Sequence, residues 1–478
     1  RNAICANHEK REGHAMSTVT ISDTPFVGND RLLVGIVLSV LTFWLFAQSV
    51  INVVPAMKSS LDISLEILTL AVSLSALFSG CFVVASGGLA DKFGRMRMTT
   101  LGLGLSIVGS AMLVVAQGSG LFLAGRVLQG LSAACIMPAT LALIKTWYEG
   151  RARQRAVSFW VIGSWGGSGL CSFVGGAIAT GLGWRWIFVF SIAVALLALF
   201  LLRGTPESRS ASASQHKLDV GGLLSLIVAL VLVNLFISKG HGWGWSSPLS
   251  LTMLAGALAA GTIFIRNGMR KGEAALIDFA LFRNRAYGAA VLSNFLLNGA
   301  IGTMMIASIW LQQGHHLTPL ESGMMTLGYL VTVLAMIRVG EKLLQRYGAR
   351  LPMMAGPVLT AIAIALISCT FLEKALYIGV VFASNVLFGL GLGCYATPST
   401  DTAVANAPEN KIGVASGIYK MGSSLGGAMG IAVTASLFTL FLPLGMAHAA
   451  QYALWFNAVL CLGAMAVSAL LLPRASHS

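Results

Sequence analysis

Long apolar runs, cut at regular intervals by short charged or glycine-marked turns, constrain this chain more than any other feature. Fourteen such segments are read from residue 31 onward: 32–54, 66–88, 98–117, 121–146, 155–180, 186–203, 220–238, 249–265, 286–311, 321–340, 352–372, 376–399, 412–440 and 450–472. Most have about the length that a helix needs to cross a hydrocarbon core. No water in that core satisfies backbone N–H and C=O groups, so the predicted fold class is an all-α membrane protein. The seventh and eighth segments stand apart, bracketed by the hydrophilic stretches 204–219 and 266–285. Only 10% of the 478 residues are charged and 56% are hydrophobic, a balance that a soluble chain cannot bury.

The formal charge of +14 raises the question of a polyanionic partner. Its placement answers it. Most of the 31 Lys and Arg fall in loops on one side, while only Lys58, Arg185, Lys239 and Lys374 lie in loops on the other. This is the positive-inside asymmetry, which orients a membrane protein; no nucleic-acid partner is expected. An even number of spans then puts both termini on the cytoplasmic side of the cell membrane. Residues 1–30 form a polar tail without the apolar core of a cleavable signal. Residues 1–15 read as an extension upstream of Met16. The seven Cys are scattered without a CxxC pair, so neither a metal nor a cofactor is expected. No GxxxxGK[ST] pattern is present to bring in ATP.

The most informative turn is Gly87-Gly88-Leu89-Ala90-Asp91-Lys92-Phe93-Gly94-Arg95-Met96-Arg97, a charged hairpin tip between two charge-free runs. Gly340 to Arg350 echoes it, aligning Leu343, Arg346, Tyr347 and Gly348 with Leu89, Lys92, Phe93 and Gly94. Pro138-Ala139-Thr140 likewise matches Pro398-Ser399-Thr400. The chain therefore reads as two six-helix copies, 31–205 and 286–475, with two inserted helices and their linkers in 206–285. Pseudo-repeated halves meeting at a central site are the usual build of secondary transporters.

Gly-x-Leu-Ala-Asp-x-x-Gly-Arg between the second and third segments resembles the signature of the major facilitator superfamily. Arg126-Val127-Leu128-Gln129-Gly130 is similar to that superfamily's Arg-x-x-Gln-Gly motif. The fourteen segments, Gly183-Trp184-Arg185-Trp186-Ile187-Phe188, Ile277 to Asn284, and Gly413 to Gly417 resemble the fourteen-helix drug:proton antiporters. The resemblance implies alternating access, with a gating role for Gly88, Asp91, Gly94 and Arg95. Two positions depart from the pattern. Ala47 stands where the family usually has a helix-one Asp. In the fifth segment the glycine spacing persists (Gly163, Gly167, Gly175, Gly176), but the usual Gly-Pro is absent.

Proton coupling needs a group that changes charge within the membrane, and acids there are scarce. Asp401, near the end of a long segment and three residues after Pro398, is the coupling candidate; an acid pairing with a nearby cation at the cytoplasmic mouth is the other reading. Cavity candidates are Arg126 and Gln129, three residues apart on one helix face, and the i,i+4 pairs Gln48/Asn52 and Asn294/Asn298. The amides serve equally well as interhelical glue. Lys420 either lines the cavity, with Ser416, Ser423 and Ser424 on its face, or snorkels outward. Trp44, Trp160 and Trp165 offer flat walls. His315 and His316 fall in an external loop, where solvation is expected. Gly422, Gly426 and Gly430 form a smooth face for packing or sliding.

The expectation is a secondary active transporter rather than an enzyme: a proton-coupled exporter of small amphipathic compounds, acting as a monomer in the lipid bilayer. The alternative is an exporter or facilitator of a neutral or anionic metabolite without the usual proton coupling, because Arg126 and Lys420 outnumber the acid.

Overall fold

The computed structural model describes residues 27–50, 57, 60–61, 65–209, 219–317 and 319–473, and those residues contain no strand. The cavity candidate Asn52 and most of the polar N-terminal tail lie outside the described residues.

Asn29 opens α1 (Asp30–Leu41), its side chain accepting the Leu32 N–H. The helix runs on through a wide turn at Thr42–Phe46 and a tight one at Ala47–Ser49. Next come α2 (Leu65–Phe93) and α3 (Arg95–Val115), joined by Gly94 alone. Gly94 has φ 123°, a left-handed conformation that makes so short a reversal possible without a side-chain clash. The long α4 (Ser119–Trp147) is followed by α5 (Gly150–Val161), a wide turn at Ile162–Gly166, α6 (Gly167–Gly181) and α7 (Arg185–Leu202).

These helices pack as a first bundle, α4 against α2 and α3, and α7 against α1 and α3. The glycines of the fifth segment seat α1. A Cβ on Gly163 would meet Val37, one on Gly167 would meet Leu41 and Trp44, and one on Gly175 would strike Ser49; Gly176 has open space.

After α8 (Val220–Trp243) and α9 (Pro248–Lys271) comes the second bundle. It comprises α10 (Arg285–Gly299), α11 (Gly302–Ile309), the short α12 (Pro319–Met324), α13 (Leu327–Tyr347), α14 (Arg350–Ile367), α15 (Lys374–Ala405), α16 (Ile412–Phe441) and α17 (Met446–Leu471). Here α15 packs on α13 and α14, and α10 on α16 and α17. A Cβ on Gly426 or Gly430 would overlap the main chain of α10 at Phe295 or Gly299. That face of α16 is therefore a close-packing face within one bundle. Helix α8 leans on α2 and α16, and α9 packs on α8.

Among the described residues, twelve helices are long and apolar enough to cross a membrane. The Gly150–Gly181 stretch and α8 are helical where the fifth and seventh segments were expected. Many large apolar side chains face outward, among them Leu101, Leu196, Phe200, Leu258, Val331 and Leu470. A bilayer solvates such a belt and water does not.

Two ion pairs tie down the linkers around the inserted helices. Lys271 reaches Asp219 at 2.6 Å, and Lys411 reaches Asp278 at 2.6 Å. Burial alone would raise both carboxyls. The hydrogen bonds from those lysines and from backbone N–H groups outweigh it and hold both below the usual carboxylate range.

Candidate functional site

The two bundles touch along α2 and α4 with α16, and along α5 with α13 and α15. Among the described residues, every hydrogen bond and ion pair between the bundles lies at one end, the end with the basic loops. Asp91 accepts from the Gly413 N–H at 3.0 Å and the Val414 N–H at 3.1 Å, so its carboxylate caps the N-terminus of α16. Arg95, 3.1 Å from Asp91, also donates to the Glu409 carbonyl at 3.0 Å and to Thr146 at 2.6 Å. Gly87 and Gly413 lie backbone to backbone beneath this cluster; a Cβ on either would overlap the other's carbonyl. Gly88 also sits on this seam, where a Cβ would only touch Val414.

Sequence reasoning missed the other half of this clasp. Lys145, in the last turn of α4, donates to the carbonyls of Ala405 and Ala407 and so caps the C-terminus of α15. Arg153 pairs with Asp401 at 3.0 Å, and Asp401 is only 4% exposed. Asp401 therefore sits in an ion pair across the seam, the arrangement that its alternative reading describes. Beyond their charge, Lys145 and Arg153 carry no mark of this in the sequence, because nothing in a sequence says which carbonyl a lysine will find. Glu207 was missed as well: its carboxylate accepts from Met96 N–H and Arg97 N–H, both at 2.9 Å, and caps α3 beside Gly94.

Deeper in the first bundle, Arg126 is fully buried. It donates to the Ala71 carbonyl (3.0 Å), the Ala47 carbonyl (2.7 Å), Gln129 Oε1 (2.7 Å) and Ser75 Oγ (2.6 Å). One guanidinium thus fastens α1 and α2 to α4. Ala47, which takes the place of the family's helix-one acid, meets Arg126 through its main-chain oxygen. Gln48 is half-buried in the tight turn beside it.

Lys420 does not snorkel. It is 9% exposed, and its ammonium stands 5.0 Å from the Trp160 ring centroid and 5.6 Å from that of Trp44. The lysine comes from the second bundle and both indoles from the first. Trp44 is half-buried, and Trp165 packs close by against both bundles' cores.

Asn294 donates to Ser423 Oγ at 2.6 Å and to the Tyr419 carbonyl at 3.2 Å, while Asn298 donates back to Asn294 at 2.8 Å. The pair joins α10 to α16. A chain of hydroxyls, Ser293, Tyr395, Ser399, Tyr419 and Thr400, runs beside it through the second bundle.

One expectation changes. His315 is not solvated: its ring stacks on Tyr377 at 5.0 Å, and burial, then Lys374 and His316, push its pKa down. Arg338 pairs with Glu341 and lies over the Phe159 ring at 4.8 Å, a contact with the first bundle.

The family model described as Major Facilitator Superfamily matches residues 32–282 and 286–478. The Quinolone resistance protein NorB of Staphylococcus aureus strain MRSA252 is 50% identical over 450 residues, covering 94% of this chain and 97% of the relative. The strain MW2 protein of that name is 51% identical over the same shares. Among solved structures, the proton:xylose symporter XylE bound to 6-bromo-6-deoxy-D-glucose superposes with TM-score 0.67 at 16% identity, over 94% of this chain and 96% of that one. The human organic anion transporter MFSD10 (TETRAN) gives 0.61 at 16% identity, over 92% and 98%. A basic end clasped across two helical bundles, a lipid-facing exterior and this likeness along nearly the whole length lead to one conclusion: the chain is a multi-pass membrane transporter and belongs to the major facilitator superfamily.

Proposed function

We propose that the protein exports small amphipathic compounds, quinolones among them, by alternating access coupled to proton entry. The observation that carries this reading is the 50% identity to quinolone resistance proteins over 97% of their length. In this proposal fourteen helices span the cell membrane, with both termini in the cytoplasm. Residues 31–205 and 286–475 rock against each other as pseudo-repeats, residues 206–285 form the insert, and one copy suffices. The clasp of Asp91, Arg95, Lys145 and Arg153 is then the inner gate, closed here.

Coupling enters through the same gate. Protonation of Asp401 from the outer side removes the charge that Arg153 grips and so frees the gate to open. Asp401 would thus take a proton from outside while the gate is closed and release it into the cytoplasm once the gate opens. In this proposal the polar side chains of Gln48, Arg126, Gln129, Asn294, Asn298 and Lys420, with Asn52 by its place in the sequence, complete the substrate path.

A second reading, export of neutral or anionic compounds without that coupling, draws on one observation. Arg126 and Lys420 are both buried, and neither forms an ion pair with a described carboxylate. Proteoliposomes separate the two readings. Proton flux driven by a quinolone gradient in the wild type, and abolished in Asp401→Asn while binding persists, is the expected result. Quinolone transport without proton flux, indifferent to Asp401→Asn, would refute the coupling and favour the second reading.

A further inference from the structure

Lys420 poses a question that the gate does not answer. Its ammonium carries three N–H donors, is nine-tenths buried, and meets two indole faces but no carboxylate among the described residues. Indole faces stabilise a cation, yet they satisfy none of its hydrogen bonds. Two more donors near this position are also unspent. Trp44 Nε1 is buried without a partner, and so is Ser416 Oγ, one helical turn before Lys420 on α16. Arg126, which like Lys420 is buried without an acid partner among the described residues, spends its hydrogen bonds on the protein itself and adds only positive charge. A cluster of unspent donors and positive charge, walled by the half-exposed ring of Trp44, is complementary to a flat aromatic ring bearing a carboxylate.

We propose that Lys420, Ser416, Trp44 and Trp160 form the subsite for the carboxylate end of an aromatic acid. In it the acid group displaces the indoles as the partner of the Lys420 ammonium, with Ser416 as a second donor, while the aromatic ring lies on Trp44. The two bundles contribute opposite walls, so a bound carboxylate joins them at mid-depth. The subsite selects for anionic and zwitterionic aromatics and against simple cations, which Lys420 and Arg126 repel. This inference deepens the export reading and rests on it for the direction of transport.

The test uses the purified full-length protein and three probes: nalidixate, its methyl ester, and tetraphenylphosphonium. Binding is read by calorimetry for the wild type, Lys420→Gln, Lys420→Arg and Trp44→Leu. Lys420→Gln should weaken nalidixate about tenfold or more, leave the ester within about twofold, and tighten or leave unchanged the cation. Lys420→Arg should restore most of the nalidixate affinity, whereas Trp44→Leu should weaken acid and ester alike. An equal loss of acid and ester in Lys420→Gln would mean that the lysine only packs, and would overturn the proposal, as would no loss at all. If nalidixate binds with this charge dependence but does not move in proteoliposomes, the subsite stands and the export reading falls.

Discussion

Arg126 shows what a single buried cation does when no acid is within reach. Its four acceptors lie on three helices, and two of them are main-chain oxygens. A lysine ammonium is compact and lacks the planar fork that reaches them together. Arg126→Lys should therefore strand at least one buried acceptor and lower stability by about 1–3 kcal/mol. Thermal unfolding in detergent reads this directly, and an unchanged midpoint would show that the guanidinium is not the fastener. The meeting of Arg126 with Gln129 was legible, because residues three apart share a helix face. Its meeting with Ala47 and Ala71 was not: a carbonyl belongs to every residue and marks none in a sequence. The same blindness hid Lys145. Asp401 differs again, since its isolation among apolar neighbours in sequence said nothing about Arg153, 248 residues away.

At the scale of elements, α16 uses glycine for two purposes along one helix. Near its start, Gly413 meets Gly87 across the seam between bundles; farther along, Gly430 meets Gly299 within its own bundle. The same substitution should then have different consequences. Gly430→Ala forces α16 off α10 and should cost about 1–3 kcal/mol of stability, with the thermal midpoint falling accordingly. Gly413→Ala forces the bundles apart at the basic end. It should leave the midpoint nearer the wild type while raising thiol-reagent access to cysteines placed along that seam. Equal destabilisation without new access would contradict this division. The helices themselves were legible from apolar runs, because a bilayer leaves the backbone no other way to satisfy itself. What the glycine periodicity could not say was which neighbour each glycine approaches. The spacing of Gly422, Gly426 and Gly430 is the same for a sliding face as for a locked one.

For the whole molecule, the described contacts between bundles are unevenly distributed. Polar links gather at the basic end, aromatic and cationic side chains meet at mid-depth, and α8, backed by α9, braces the seam from outside. In the clasp, the first bundle contributes side chains: Asp91, Arg95, Lys145 and Arg153. The second contributes, Asp401 apart, backbone atoms: the N–H groups of Gly413 and Val414 and the carbonyls of Ala405, Ala407 and Glu409. Codons can erase a side chain but not a peptide group. The mutational target for jamming this closure open is accordingly lopsided. A saturation scan under drug selection should find escape from closure concentrated at the four first-bundle positions. Ala405, Glu409 and Val414 should accept most residues that keep the helix ends intact, and uniform sensitivity on both sides would show that the grip does not rest on the peptide groups. A lineage carrying this protein can thus remodel the inner face of its second bundle, and whatever docks or inhibits there, without losing the grip that holds the transporter shut.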